Sequence, residues 1–267
     1  MNGKLKAGLL LTLIIVLLSL TSSVWIRGVF NVHYNTMKPE LRFLPPGIGH
    51  PLGTDNFGRD ILLRIIAGSR HTIVLALCVV AGAVILGSAL GLFAGYSGGI
   101  RDEIIMRLMD AVNSFPGILF ALVMVAVFGN SQFTLFIALL ILFIPSFTRI
   151  IRSGTLQYRD ADFILAERLL GAGSARIVFI HILPNLATQL LPAAALGLSN
   201  AILAESAMSY LGFGVQPPEP SWGRMLSESQ NYLVNAPWCA LAPGIFIMLT
   251  VIGLHCLGDS LHRYFGD

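Results

Sequence analysis

The sequence is short of charge. Only 12% of its 267 residues are Asp, Glu, Lys or Arg, whereas soluble domains carry about a quarter. The formal net charge is +3, too small for the dense Lys/Arg patches that nucleic acid selects, so no nucleic-acid partner is expected. Cysteine is scarce as well. Cys78, Cys239 and Cys256 have neither metal-site nor redox spacing, and each lies in or beside an apolar run, where it reads as a small core residue. There is no GxxxxGK[ST] loop to cradle a nucleotide, no GxSxG nucleophile elbow and no HExxH zinc pair. The chain is therefore not expected to be an enzyme, to bind ATP by that route, or to hold a cofactor or a metal.

What the chain does have is apolar length. Hydrophobic residues make up 55% of it and the mean hydropathy is positive, the profile of a polytopic membrane protein. A helix needs about 20 apolar residues to cross a bilayer. Runs at 7–26, 73–96, 133–151, 186–204 and 239–257 meet or approach that length. The run at 115–128 is too short alone, but Ile104, Ile105, Leu108, Met109 and Val112 recur at helical spacing and place the start of its helix near Glu103. Six spans put both termini on one side. Lys4 and Lys6 precede the first run and point to a cytoplasmic N-terminus. That topology leaves ten Lys/Arg inside and seven outside, a weak bias, with most of the outer ones in the first outer loop. Ser19, Thr21, Ser22 and Ser23 also fit a cleaved signal peptide, but the length of the first run favours an uncleaved span. The chain divides into a first span (1–27), an outer loop with an interfacial amphipathic helix (28–70), a five-helix core (71–258) and a short cytoplasmic tail (259–267).

Ala83, Gly87, Gly91 and Gly95 fall four apart and line one face of the second span. Small residues so spaced let a neighbouring backbone approach closely, which in lipid replaces the drive that water supplies. The neighbour is either another helix of this chain or a second membrane subunit.

Residues 149–182 are too polar to cross the membrane and too patterned for a tether. Asp160 or Asp162 can cap a helix on which Ile164, Leu165, Arg168 and Leu169 share a face. Gly171 and Gly173 then break it, 175–182 resumes as a second short helix, and Pro184 stops that one before the fifth span. The result is a helix-turn-helix on the inner membrane face, whose apolar stripe packs on its own bundle or docks in a partner's groove.

Leu165-Ala166-Glu167, then Gly171, then Ile182-Leu183-Pro184 resembles the cytoplasmic signature loop of bacterial ABC-importer permeases. The resemblance implies that Leu165, Ala166, Glu167, Arg168, Gly171, Ile182 and Pro184 form coupling helices that seat in ATP-binding subunits. Leu165 stands where the family usually has its leading glutamate, and the acid comes two positions later, at Glu167. HPLGTDNFGRDILLRI (50–65), ESAMSYLGFGVQPPEPSWGRMLSE (205–228) and GDSLHRY (258–264) are similar to stretches of the second permease subunit of dipeptide, oligopeptide and nickel importers. The fold so implied is all-α, the six-span type I ABC-importer permease with cytoplasmic coupling helices, in a bacterial inner membrane. The function implied is half of a translocation pathway for di- or oligopeptides, or for nickel or a metal chelate, working by alternating access. The partners implied are membrane lipid, a homologous second permease, two ATP-binding subunits that hydrolyse the ATP, and an external solute-binding protein. The rival classes are a stand-alone secondary transporter, which would show repeated halves and midspan charges, and a membrane enzyme. No clear repeat is visible, and no acid, base and ligand constellation shares one depth.

In HPLGTDNFGRD, Pro51, Gly53 and Gly58 set turns, and Thr54 or Asp55 can cap a helix starting near Phe57. Asp60 and Arg64 are spaced to pair. Ile61, Leu62, Ile65 and Ile66 give an apolar side to a helix in the outer interface, leading into the second span near His71. Its role is either to cap that span or to present Asp55, Arg59 and Asp60 to the external binding protein or the sister permease. Glu205, with Asn200 and Ser206, sits at the outer end of the fifth span. Ionisable groups there are costly, hence functional candidates, so the three form a candidate substrate path unless Glu205 merely caps the span at the headgroups. The loop at 215–237 carries Pro217, Pro218, Pro220 and Trp222, and a short helix at 225–233 shields the path, with Arg224 and Glu228 four apart. His255 and His262 are seven apart and the other histidines are scattered, so no dedicated metal site is expected.

Overall fold

A computed structural model describes residues 34–266, with Leu17 and Ser19. The first apolar run, and with it the expected first span, lies outside the described residues. Among the described residues there is no strand. The elements are α1 (Ile61–Ser97), α2 (Gly99–Asn113), α3 (Gly117–Phe128), α4 (Gln132–Arg159), α5 (Asp162–Leu169), α6 (Leu183–Tyr210), α7 (Trp222–Ser229) and α8 (Trp238–Gly266). Four helices are long and apolar enough to cross a membrane, namely α1, α4, α8 and α6 with the turns before it, and the bent pair α2–α3 makes a fifth if it is one span.

The second span is longer than its apolar run. α1 has 37 residues, about 55 Å at 1.5 Å per residue, against a hydrocarbon core of about 30 Å. Its N-cap is Asp60, whose Oδ1 accepts from Leu63 N at 3.0 Å, and neither Thr54 nor Asp55 takes that role. Thr54 Oγ1 is engaged by Leu41 O and Leu44 N, and Asp55 Oδ1 accepts from Phe57 N and Arg59 N, closing a turn that keeps 57–59 out of the helix. The interfacial helix expected before His71 is not a separate element. Its residues form the first turns of α1, where Ile61, Leu63, Arg64 and Ile65 are buried.

The third span also departs from expectation. The helix foreseen from Glu103 to Phe128 is broken at 114–116, and α2 and α3 meet at 84°. Pro116 is the cause. It lacks the N–H that would continue the ladder and disfavours the helical region at Phe115. α3 alone has 12 residues, about 18 Å. The expected 259–267 tail does not stand apart either, because α8 runs on to Gly266.

The glycine ladder packs within the chain. A Cβ on Gly87 would lie 2.7 Å from Phe147 Cβ, on Gly91 2.6 Å from Thr148 O, and on Gly95 2.8 Å from Thr155 Cβ. All three neighbours belong to α4, so the α1 and α4 backbones touch along the stripe. The α4 threonines turn their hydroxyls inward along their own helix, Thr148 Oγ1 to Ile144 O at 2.9 Å and Thr155 Oγ1 to Ile151 O at 2.7 Å, which satisfies their polar atoms in an apolar seam. Around this seam Ala76, Val79, Leu135, Leu139, Phe147 and Ile202 form the central core of α1, α4 and α6. A second core at the N-terminal end of α1 gathers Ile61, Ile65, Trp222, Met225 and Cys239. Asn130 Nδ2 donating to Gly212 O, and the Arg152–Asp102 pair at the opposite end, tie the connections on each face.

Candidate functional site

The elbow between α4 and α6 is built on three isoleucines. Ile164 of α5, Ile177 and Ile182 are fully buried with Leu92 of α1, Ile151 of α4 and Leu186 of α6. α5 starts without a side-chain cap, its N-cap being Ala161, so neither Asp160 nor Asp162 caps it. It ends at Gly171 in the left-handed region, φ +86°, with Gly171 N donating to Arg168 O and Ala172 N to Glu167 O, both at 3.0 Å. That is a Schellman close, for which glycine is the residue of choice. Beyond it, Ser174–Arg176 and a wide π turn over Ile177–Ile182 run straight into α6. The second short helix is thus the start of the fifth span, and Pro184 does not stop it. A proline in a regular helix clashes with the carbonyl four residues back; the widened turn ahead of Pro184 absorbs that conflict, and Asn185 Nδ2 donates to His181 O at 2.6 Å on the same turn.

Of the residues singled out in sequence, Leu165, Ala166, Arg168, Gly171 and Pro184 are exposed, Glu167 is half-buried, and Ile182 is an anchor at 0% exposure. Leu165 does not share the buried face with Ile164. It projects outward with Leu169 and Leu170, which are 89% and 83% exposed. Glu167 pairs within the elbow with His181 Nε2 at 3.6 Å, and Arg168 lies 5.5 Å over the Tyr96 ring. Ile177 was not singled out; its 0–5 spacing from Ile182 has meaning only in a π turn.

At the other end of the bundle the polar motif closes on itself. Asp55 Oδ2 accepts from Arg59 Nε at 2.6 Å. Glu228 Oε2 lies 3.4 Å from Arg59 Nη2 and 3.2 Å from Arg64 Nη2, and its Oε1 lies 3.3 Å from Arg224 Nε. Arg59 and Arg64 are 4% and 1% exposed. Asp60 pairs with His50 Nδ1 at 2.7 Å and not with Arg64. Asp55, Arg59 and Asp60 therefore act as internal struts binding the 38–60 loop to α1 and α7. This also bears on the cations counted in the 28–70 loop: two of its arginines are buried and matched by the partly exposed carboxylates of Asp55 and Glu228, so they weigh little in a positive-inside comparison. Gly53 and Gly58, at φ +77° and +71°, are fixed by close approach, since a Cβ would strike Trp238 and the Lys38 carbonyl.

Glu205 is fully buried. Its Oε1 accepts from Ser209 Oγ at 2.6 Å, and its Oε2 has no hydrogen-bond partner among the described residues. The chain closes tightly over this turn of α6: a Cβ on Gly223 would meet Ser206 O at 2.1 Å and one on Gly214 would meet Ser209 Oγ at 1.8 Å. Glu205 and Ser206 thus lie inside the packing of α6 under α7, away from any open surface, while Asn200 is exposed. The helix at the end of the outer loop begins at Trp222, three residues before the expected 225, capped by Ser221 Oγ accepting from Arg224 N. Among the described residues, no three His, Cys, Asp or Glu side chains cluster as metal ligands.

A long capped helix, a glycine seam between two spans, and an elbow anchored by buried isoleucines at the end away from that cap make up a polytopic membrane architecture. The fold is similar to that in inward-facing structures of the MetNI methionine ABC transporter, with a TM-score of 0.65 at 16% identity over 77% of this chain and 97% of that one. The fold is that of a type I ABC-importer permease. Residues 87–266 match the family model described as binding-protein-dependent transport system inner membrane component, and the chain belongs to that family. It is 42% identical over 228 residues to the dipeptide transport system permease protein DppC of Alkalihalophilus pseudofirmus, covering 85% of this chain and 75% of that protein. It is 40% identical to the di/tripeptide transport system permease protein DppC of Pseudomonas aeruginosa (79% and 69% covered). It is 38% identical to the glutathione transport system permease protein GsiD of Pectobacterium atrosepticum (81% and 72% covered). The chain is thus an inner-membrane permease component of an ABC importer, a family whose members work with ATP-binding and substrate-binding components.

Proposed function

We propose that this chain forms one half of the translocation pathway of an importer for short peptides. It pairs with a homologous second permease, two ATP-binding subunits that hydrolyse the ATP, and an external solute-binding protein. The observation that carries the coupling role is the division of the elbow into two faces. Ile164, Ile177 and Ile182 bolt it to three spans, while Leu165, Leu169 and Leu170 stand exposed on its outer side. An exposed apolar cluster on a rigid support is what a groove-docking element requires. Closure of the ATP-binding subunits on nucleotide would then move the elbow, and the buried isoleucines would carry that movement into α1, α4 and α6. Peptide is the favoured cargo because relatives at 38–42% identity are named for dipeptides, di/tripeptides and glutathione, itself a tripeptide. On this reading Asn200 is the polar candidate for the path, and Glu205 and Ser206 serve packing. The test is uptake of a radiolabelled dipeptide into proteoliposomes holding the four-subunit complex and the solute-binding protein. ATP-dependent uptake blocked by unlabelled di- and tripeptides is expected. Uptake that needs no ATP, or that only nickel competes for, contradicts the reading.

A further inference from the structure

We propose that Ile48 is an apolar anchor for the external solute-binding protein, presented on a rigid turn that the HPLGTDNFGRD motif holds in place. The inference rests on the importer reading above. Ile48 is as exposed as in an extended peptide, at 110% relative accessibility. It sits at the tip of a tight turn closed by Gly47 N to His50 O at 3.0 Å and His50 N to Gly47 O at 3.2 Å. The base of the turn is pinned from three sides. Leu44 N donates to Thr54 Oγ1 at 2.9 Å, Trp238 Nε1 of α8 donates to Thr54 O at 3.3 Å, and His50 Nδ1 pairs with the Asp60 that caps α1. A fingertip held this way loses little freedom on docking, which is how preorganisation improves affinity.

Two observations select the occupant. The first is depth. The turn stacks on the N-terminal end of α1 and on Trp238, and ten residues separate Ile61 from His71 near the start of the apolar run, about 15 Å of helix. The tip stands clear of the bilayer, in the outer aqueous space. The second is charge. Lys38 and Arg42 are exposed and no carboxylate pairs with them among the described residues, against one exposed acid, Glu40, in 38–60, whereas the buried arginines of the same cap are all matched. A soluble protein with an apolar pocket rimmed by carboxylates fits both. Asp55, Arg59 and Asp60, the sequence candidates for this contact, support the surface without forming it.

The test uses the assembled transporter in nanodiscs and the solute-binding protein that restores its peptide uptake. ATPase stimulation is titrated against that protein for the native chain and for Ile48→Ser. The half-maximal concentration should rise at least tenfold in the variant while the rate at saturation is kept. A photoreactive amino acid at position 48 should crosslink to the binding protein. Unchanged half-maximal stimulation in Ile48→Ser, or crosslinks to lipid alone, overturns the proposal while leaving the importer reading intact. If no binding protein stimulates the native complex, the importer reading falls and this inference with it.

Discussion

Gly91 offers the sharpest test of how the spans are held together. A methyl at this position would lie 2.6 Å from Thr148 O, 2.9 Å from Ile151 Cβ and 3.0 Å from Arg152 N. Two of these are backbone atoms, so no rotamer change relieves the overlap; α1 and α4 must part by several tenths of an ångström along a seam that Gly87 and Gly95 share. Overpacking of this kind costs roughly 1–3 kcal/mol. Against it stands the helix-propensity gain of alanine over glycine, about 1 kcal/mol. Gly91→Ala should therefore destabilise the isolated chain by about 0–2 kcal/mol, and Gly91→Leu by more than 3 kcal/mol because three further carbons enter the same space. Gly244→Ala in α8 is the control. Its Cβ would meet only Leu226 Cδ2, at 3.9 Å, so it should be neutral or gain up to about 1 kcal/mol. Thermal unfolding of the detergent-solubilised chain, followed by loss of the monodisperse peak, ranks the three. Each kcal/mol should move the midpoint by roughly 2–4 °C. A Gly91→Leu chain that melts with the native protein, and fails only when the sister permease must bind, would refute the internal seam and give the ladder to the subunit interface.

Three further outcomes follow from the same geometry. Gly171→Pro cannot adopt φ +86° and removes the N–H that closes α5. Peptide uptake should fall at least tenfold with ATP hydrolysis and membrane insertion retained, and native uptake would count against the docking role. Arg64→Leu leaves Glu228 and Asp55, 3.2 and 3.7 Å from the guanidinium, short of a buried cation; a loss of about 2–4 kcal/mol is expected, below the full range for buried pairs because both carboxylates keep some solvent contact. Glu228→Gln should restore part of it in a double-mutant cycle read by thermal unfolding, and strict additivity would deny the pairing. Glu205→Gln keeps the shape and the Ser209 hydrogen bond, so uptake should stay within about twofold; a tenfold loss in a stably folded variant would return Glu205 to the substrate path.

What the sequence could and could not reveal divides along physical lines. Spans two, four, five and six were legible because a bilayer demands about 20 apolar residues wherever they fall. The ladder at 83–95 was legible as a close-packing face, but period alone cannot say which backbone lies against it; only the position of Thr148, Ile151 and Thr155 decides. The break at 114–116 hid behind continuous helical spacing on either side, although Pro116 was the available signal. The cap failed for a different reason. Arg64 finds Glu228 across 164 positions of chain, a pairing no local rule can foresee, and Asp60 caps α1 because Thr54 and Asp55 are already engaged. In the elbow the glycine stop was readable from left-handed turn chemistry. The isoleucine anchors were not, since a π turn shifts their register away from the helical period.

The claim on which all of this turns is that the exposed leucines of the elbow meet an ATP-binding subunit. Leu169→Cys, placed on the most exposed of them and treated with a short bifunctional maleimide in inside-out vesicles, tests it directly. Capture of an ATP-hydrolysing protein, with a yield that changes when nucleotide is added, is the predicted result. Labelling that reaches only lipid or this chain itself, with and without nucleotide, would contradict the account.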